Sequence, residues 1–124
     1  MTPLEILKEA RATLATPGKW TRGALARSSL KACVDPCSEE ANAFCTVGAL
    51  QRAAHVTYEP CVDAHRAAAY AQARSELRAT LASRDDVPSL THWNDHYTRQ
   101  HAEVLELFDE TIKRLETATC PTRT

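Results

Sequence analysis

The stretch Ala41-Asn42-Ala43-Phe44-Cys45-Thr46-Val47-Gly48-Ala49-Leu50-Gln51-Arg52-Ala53-Ala54 decides how the rest of the chain is read. Its polar residues are few, Asn42, Thr46, Gln51 and Arg52. A helix apolar nearly all round belongs in the middle of a fold, so residues 41–54 are expected to form a buried helix on which the others pack. Asp35-Pro36-Cys37-Ser38 supplies a turn and a capping residue before it, and Glu39-Glu40 carry the negative charge that a helix N-terminus favours. The small residues Ala41, Ala43, Cys45, Gly48 and Ala49 let neighbouring backbones come close, which offsets the roughly 1 kcal/mol that a mid-helix glycine costs. Gly48 is expected to be a contact point between helices.

Upstream, Thr2, Pro3 and Glu5 read as N-cap, first helical residue and capping-box partner of a helix with Leu4, Leu7, Ala10 and Leu14 along one side. Pro17-Gly18 stops it. Lys19 to Cys37 has no helical stripe. Its short runs Ala24-Leu25-Ala26 and Ala32-Cys33-Val34 suit a small β-hairpin or an irregular loop.

Downstream, after a turn over His55 to Pro60, a long helix is expected to run to about Ser83. Val62, Ala69, Tyr70, Ala73, Leu77 and Leu81 recur on one face at helical spacing. Arg66 falls within that stripe and must either reach water or meet a carboxylate. Arg84-Asp85-Asp86-Val87-Pro88 ends the helix. Ser89 to Tyr97 reads as a connection, Thr98 as the cap of a last helix. That helix has Val104, Leu105, Phe108, Ile112 and Leu115 inside and Glu103, Glu106, Glu110 and Arg114 outside, and it frays from about residue 117. The expected fold is mainly α: four helices, with a small β-hairpin or irregular loop between helices 1 and 2, in one domain over residues 1–124.

Bulk properties agree with this reading. At 124 residues, 44% hydrophobic and 25% charged, the chain can bury a sizeable core without staples. No run approaches the roughly 18 apolar residues of a membrane span, and Met1-Thr2-Pro3-Leu4-Glu5 does not open a secretory signal, so the expected location is cytoplasmic. Cys33, Cys37, Cys45, Cys61 and Cys120 are then expected to be reduced. The net charge of −1 hides a basic head: residues 1–31 hold six Lys or Arg against two Glu. Such a patch could recruit an acidic partner, although the chain as a whole has no pull toward nucleic acid.

Four groups of residues could carry chemistry. Cys33-x3-Cys37 with Cys45, His55, Cys61, His92, His96 and His101 has the residue types of a zinc site. It lacks the paired short spacings that zinc sites show, and cysteines packed as small hydrophobes explain the same residues, so neither metal nor cofactor is expected. Cys45 with His92, Asn94, Asp95 and His96 has the residue types of a thiol hydrolase but no flanking signature of one. Lys19, Trp20, Arg22, Arg27 and Lys31 place an indole among cations, as single-strand binders do, or form a solvated loop around a core tryptophan. Trp93-Asn94-Asp95 is the densest polar-aromatic cluster. It reads either as a structural turn or as one wall of a pocket in which Asp95 answers Arg66. The phosphate-loop, dinucleotide, metalloprotease and serine-elbow motifs are absent.

Trp20-Thr-Arg-Gly23-Ala24-Leu-Ala26-Arg, Ala43-Phe-Cys45-Thr-Val-Gly48-Ala49-Leu50, Trp93-Asn94-Asp95 and Val104-Leu105 with Phe108-Asp109 together resemble a family of small proteins of unknown function encoded by bacteria and their phages. The resemblance implies a bacterial or mobile-element origin and assigns no activity. The leading expectation is a non-enzymatic accessory or interaction protein that binds a protein partner, with Trp20, Arg22, Arg66, Trp93, Asn94 and Asp95 as candidate binding residues. A small-ligand module or enzyme with a pocket near Arg66 and Trp93-Asn94-Asp95 is the first alternative, and a phage-encoded inhibitor of a host defence nuclease the second. Nucleic acid could bind through the basic N-terminal third. Leu107, on the otherwise polar side of the last helix, leaves room for a homodimer contact.

Overall fold

A computed structural model of the chain describes residues 1–56, 63–84 and 88–119. The first helix forms where its signals place it. In α1 (Pro3–Ala15) the Thr2 hydroxyl accepts the Glu5 N–H, and the Glu5 carboxylate accepts the Thr2 N–H at 2.7 Å. Those bonds hold the Glu5 carboxyl below its ordinary range. Its inner face is Ile6, Leu7, Ala10 and Leu14.

The central helix is shorter than its apolar run. α2 spans Thr46–Ala54, and Ala43–Phe44 forms a strand, β2, paired antiparallel with β1 (Ala26–Arg27). A short, fully buried strand has the same unbroken apolar pattern as the start of a buried helix, which is why the expected start at Ala41 is too early. Ser38 and Glu39-Glu40 therefore cap no helix. The turn expected at residues 35–38 does form, with the Cys37 N–H bonded to the Asp35 carboxylate at 2.7 Å. Around β1 the chain doubles back through a narrow turn: Ser28 N–H bonds to Ala32 O, Val34 N–H to Ala26 O, and Arg27 bridges Cys33.

Gly48 is a contact point, although not between helices. A Cβ there would sit 1.8 Å from the Leu25 carbonyl oxygen, so the α2 backbone lies directly on the loop before β1. The same carbonyl accepts the Cys45 N–H at 3.0 Å.

Five helices are present among the described residues, one more than expected. α3 covers Ala64–Ala82, α4 Leu90–Asp95 and α5 His101–Thr119. The additional helix is α4, whose N-cap Ser89 accepts the His92 N–H at 3.1 Å. Thr98 does not cap α5 and instead bonds to His96 Nδ1. α5 remains helical through Thr119, past the expected fraying point. Val62 of the expected α3 stripe and Asp85, Asp86 and Val87 of its stop lie outside the described residues.

α1 packs on α2, α3 and α5, while α2 also packs on α3 and α4, and α3 on α5. The shared core contains Ile6, Leu7, Leu14, Leu50, Leu77, Leu81, Trp93 and Phe108. Leu107 is fully buried in it, so it offers no dimer contact. Its i, i+4 neighbour Thr111 is buried as well and donates to the Leu107 carbonyl, while bonding to Thr80 on α3 at 2.8 Å. The inward arc of α5 is thus wider than a stripe through 104, 108 and 112 alone. Ion pairs fasten the rim: Arg11 to Asp109, Lys8 to Glu116, Arg114 to Glu76 and Arg84 to Glu110. No helix among the described residues is long and apolar enough to cross a membrane.

Candidate functional site

Three segments meet around Asn94: the loop Trp20–Gly23, the N-terminus of α2 and the short α4. Asn94 is fully buried, and its carboxamide is used to capacity. Its Oδ1 accepts the Trp20 indole N–H at 2.8 Å, the Thr46 backbone N–H at 3.0 Å and the Thr46 hydroxyl at 2.6 Å. Its Nδ2 donates to the Thr21 carbonyl at 3.1 Å and to Asp95 Oδ1 at 2.9 Å. Asp95 in turn accepts the Gly23 N–H at 3.0 Å. Gly23 has a φ of 77°, a left-handed conformation that a side chain would strain. A buried amide with both donors and its acceptor matched fixes a unique arrangement, because losing any one partner would strand a desolvated polar group.

Cation–ring contacts enclose this clasp. Arg22 lies 4.9 Å over the Trp20 ring and donates to the Arg99 carbonyl. Arg99 lies 4.0 Å over the Trp93 ring, bonds to the Trp93 carbonyl at 2.9 Å and pairs with Glu103. Trp20 also stacks on His101 at 6.2 Å. The rings of both tryptophans are therefore occupied from within the chain.

Five of the six candidate residues, Trp20, Arg22, Trp93, Asn94 and Asp95, are brought together, and Arg66 is not. Arg66 is exposed in the first turn of α3 and pairs with Asp63, the N-cap of that helix, at 3.6 Å. The expected Arg66–Asp95 pair does not form, because α3 begins only at Ala64 and its first turn faces water rather than α4. Asp63 accepts the Arg66 and His65 N–H groups, which keeps its carboxyl below the ordinary range, the Arg66 N–H contributing most.

Two cations of the basic run bond within the loop region, while Lys31 is exposed. Lys19 bonds to Asn42 at 3.0 Å, and Arg27 bonds to the Arg22 and Lys31 carbonyls. Trp20 is half-buried, with its N–H on Asn94 and Arg22 over its ring.

Cys45 is the N-cap of α2, not an interior residue of a helix. It is 2% exposed, and its Sγ accepts the Gly48 N–H at 3.3 Å. A thiol at a helix N-terminus ordinarily ionises more easily; here burial dominates and pushes it up, with the Gly48 and Val47 N–H groups opposing. Cys45 and Asp95 line a cleft of about 210 Å³ with Gly23, Leu25 and Thr91. Among the described residues, no three His, Cys, Asp or Glu side chains converge as a metal would need. Cys33 is exposed, Cys37 points at the Gln51 and Val56 carbonyls, and Cys61 and Cys120 lie outside the described residues.

What sequence reasoning missed is the surface the clasp carries. Beyond Asp95 the chain turns the corner from α4 to α5 with Tyr97 83% exposed, and its ring is stacked on His96 at 4.8 Å. His96 is fixed in turn by Thr98, whose N–H and hydroxyl lie 3.2 and 2.8 Å from Nδ1. The only sequence signal was the density of polar and aromatic residues over 92–97.

Residues 1–114 match the family described as Family of unknown function (DUF6197). No curated protein and no solved structure matches the chain.

Proposed function

The chain belongs to the DUF6197 family, whose function is unknown, and we propose that it is a non-enzymatic interaction protein that binds a macromolecular partner through the α4–α5 corner. The observation that carries this reading is the exposed, stacked His96–Tyr97 pair. An exposed aromatic held in one orientation makes a binding anchor, because little side-chain entropy remains to be lost on docking. His92 and Asp95, both exposed on α4, add polar groups beside it. The buried Asn94 clasp beneath supplies the rigidity. A partner of bacterial or phage origin, including a host nuclease held inactive by a phage protein, falls within this proposal. Affinity capture from the native host tests it, comparing wild type with Tyr97→Ala. A partner retained by the first and lost by the second supports the corner, and equal retention places the interface elsewhere.

The cleft beside Cys45, Thr91 and Asp95 favours a second reading, a small-ligand site next to Trp93-Asn94-Asp95 and without Arg66. Its volume of about 210 Å³ is under the roughly 300–1,000 Å³ usual for ligand pockets, which is why it stands second. Thermal stabilisation by one metabolite, abolished by Asp95→Ala, would reverse the order.

A further inference from the structure

Asp95 holds the end of α4 with only one of its two carboxylate oxygens. Oδ1 accepts the Gly23 N–H at 3.0 Å and the Asn94 amide at 2.9 Å, which fills both of its lone pairs. Oδ2 accepts no hydrogen bond, and no Lys, Arg or His among the described residues forms an ion pair with the carboxylate. The two cations of the clasp are committed elsewhere, Arg22 to the Trp20 ring and the Arg99 carbonyl, Arg99 to Trp93 and Glu103. An exposed carboxylate pinned through one oxygen presents the other in a fixed direction. Asp95 does so on the wall of the cleft of about 210 Å³, with Ala24, Leu25, Cys45 and Thr91 around it and the exposed Tyr97 just beyond it in the chain.

We propose that the partner docking on the α4–α5 corner inserts a lysine into this cleft and sets its ammonium on Asp95 Oδ2. The inference rests on the corner reading and names the chemistry of the partner: a protein surface with a lysine beside the patch that meets Tyr97. A cleft under the size of ligand pockets takes one side chain, and Ala24 and Leu25 offer apolar surface to a lysine stem. A guanidinium grips a carboxylate best with one prong on each oxygen, and here Oδ1 is already filled, whereas an ammonium needs a single oxygen. A nucleic-acid backbone would meet the carboxylate as a like charge, which favours a protein. Once the partner covers the cleft, the pair is shielded from water and strengthened.

The N-acetyl N-methylamides of lysine, arginine and norleucine serve as probes, titrated into the isotope-labelled protein while backbone amide resonances are followed. The lysine probe is expected to shift Gly23, Leu25, Cys45, Thr91 and Asp95 saturably, the arginine probe the same residues more weakly, and norleucine none of them. Asp95→Asn keeps an acceptor for Gly23 and Asn94 while removing the charge, and is expected to weaken the lysine probe at least tenfold. The Trp20 indole resonance reports whether the clasp is intact in that variant, and the probe series on the wild-type chain needs no variant. Glu106→Gln, at an exposed acid of α5 outside the cleft, is expected to leave binding unchanged. The lysine is overturned if its probe gives no saturable shift, if arginine or norleucine binds as tightly, or if Glu106→Gln weakens binding as much as Asp95→Asn. A partner lost on Tyr97→Ala, together with a silent lysine probe, removes the lysine and leaves the corner standing. Capture undiminished by Tyr97→Ala removes the corner and this inference with it.

Discussion

The side-chain carbonyl of Asn94 accepts the indole N–H of Trp20 at 2.8 Å across 74 positions of sequence, and it holds the Thr46 N–H and hydroxyl at the same time. This contact joins the N-terminal loop, the central helix and the α4–α5 corner into one unit. Replacing Asn94 with Ala strands three donors and frees the Thr21 carbonyl. The expected loss is about 2–4 kcal/mol in urea denaturation, with an unchanged m-value. A loss under about 0.5 kcal/mol would show that the clasp does not hold the corner.

Gly48→Ala reverses the usual expectation for a helix interior. In an open helix it would gain roughly 1 kcal/mol. Here the new Cβ would meet the Leu25 carbonyl oxygen at 1.8 Å, and backbone must move. A destabilisation of several kcal/mol, or failure to fold, is expected. A stabilised variant in thermal denaturation would contradict the packing of α2 on that loop.

How much of this was legible in the sequence depends on range. The Thr2-Pro3-Glu5 signature is local, and α1 starts where it says. α3 and α5 follow from their periodicity. Cys45 as an N-cap was not legible, because a thiol is not among the usual capping side chains and the apolar run continues through it. Nor was the 26–27 with 43–44 pairing, in which each strand is only two residues long. Trp93-Asn94-Asp95 stood out as a polar-aromatic cluster from its residue types, but its place at the end of the helix α4, where a turn was expected, did not. That its amide serves Trp20 was not legible, since nothing near either residue encodes a contact so far along the chain. Arg66 was misassigned because helical spacing gives a face and not what that face meets.

Thiol labelling separates the described cysteines. With native protein at neutral pH, Cys33 is expected to react with iodoacetamide and Cys45 only after unfolding, as read by peptide mass spectrometry. The pH dependence has a definite sign. With the folded-state thiol of Cys45 pushed up by burial, the unfolded chain releases its proton first, at about pH 8.5. Its contribution to stability is therefore constant below that pH and falls as pH rises above it. Cys45→Ser should flatten that part of the curve, and an unchanged slope would refute the assignment.

Double-mutant cycles should distinguish the ion pairs. Arg11 and Asp109 form a two-pronged pair at 2.8 and 3.1 Å, with the Arg11 guanidinium held above its ordinary range by that bond, and about 0.5–1 kcal/mol of coupling is expected. Arg66 and Asp95 should be additive within roughly 0.3 kcal/mol. Coupling between Arg66 and Asp95 larger than that would restore the pair that the structure separates.

The central claim is that the α4–α5 corner is the binding surface, and the affinity of the captured partner for three proteins tests it most directly. Wild type is compared with Tyr97→Ala and with Leu30→Ala, a control at an 88% exposed leucine in the turn between Arg27 and Cys33. The expected result is a loss of at least tenfold for Tyr97→Ala, about 1.4 kcal/mol, with Leu30→Ala unchanged. A partner that binds Tyr97→Ala as tightly as wild type, or that is lost on Leu30→Ala instead, contradicts the account.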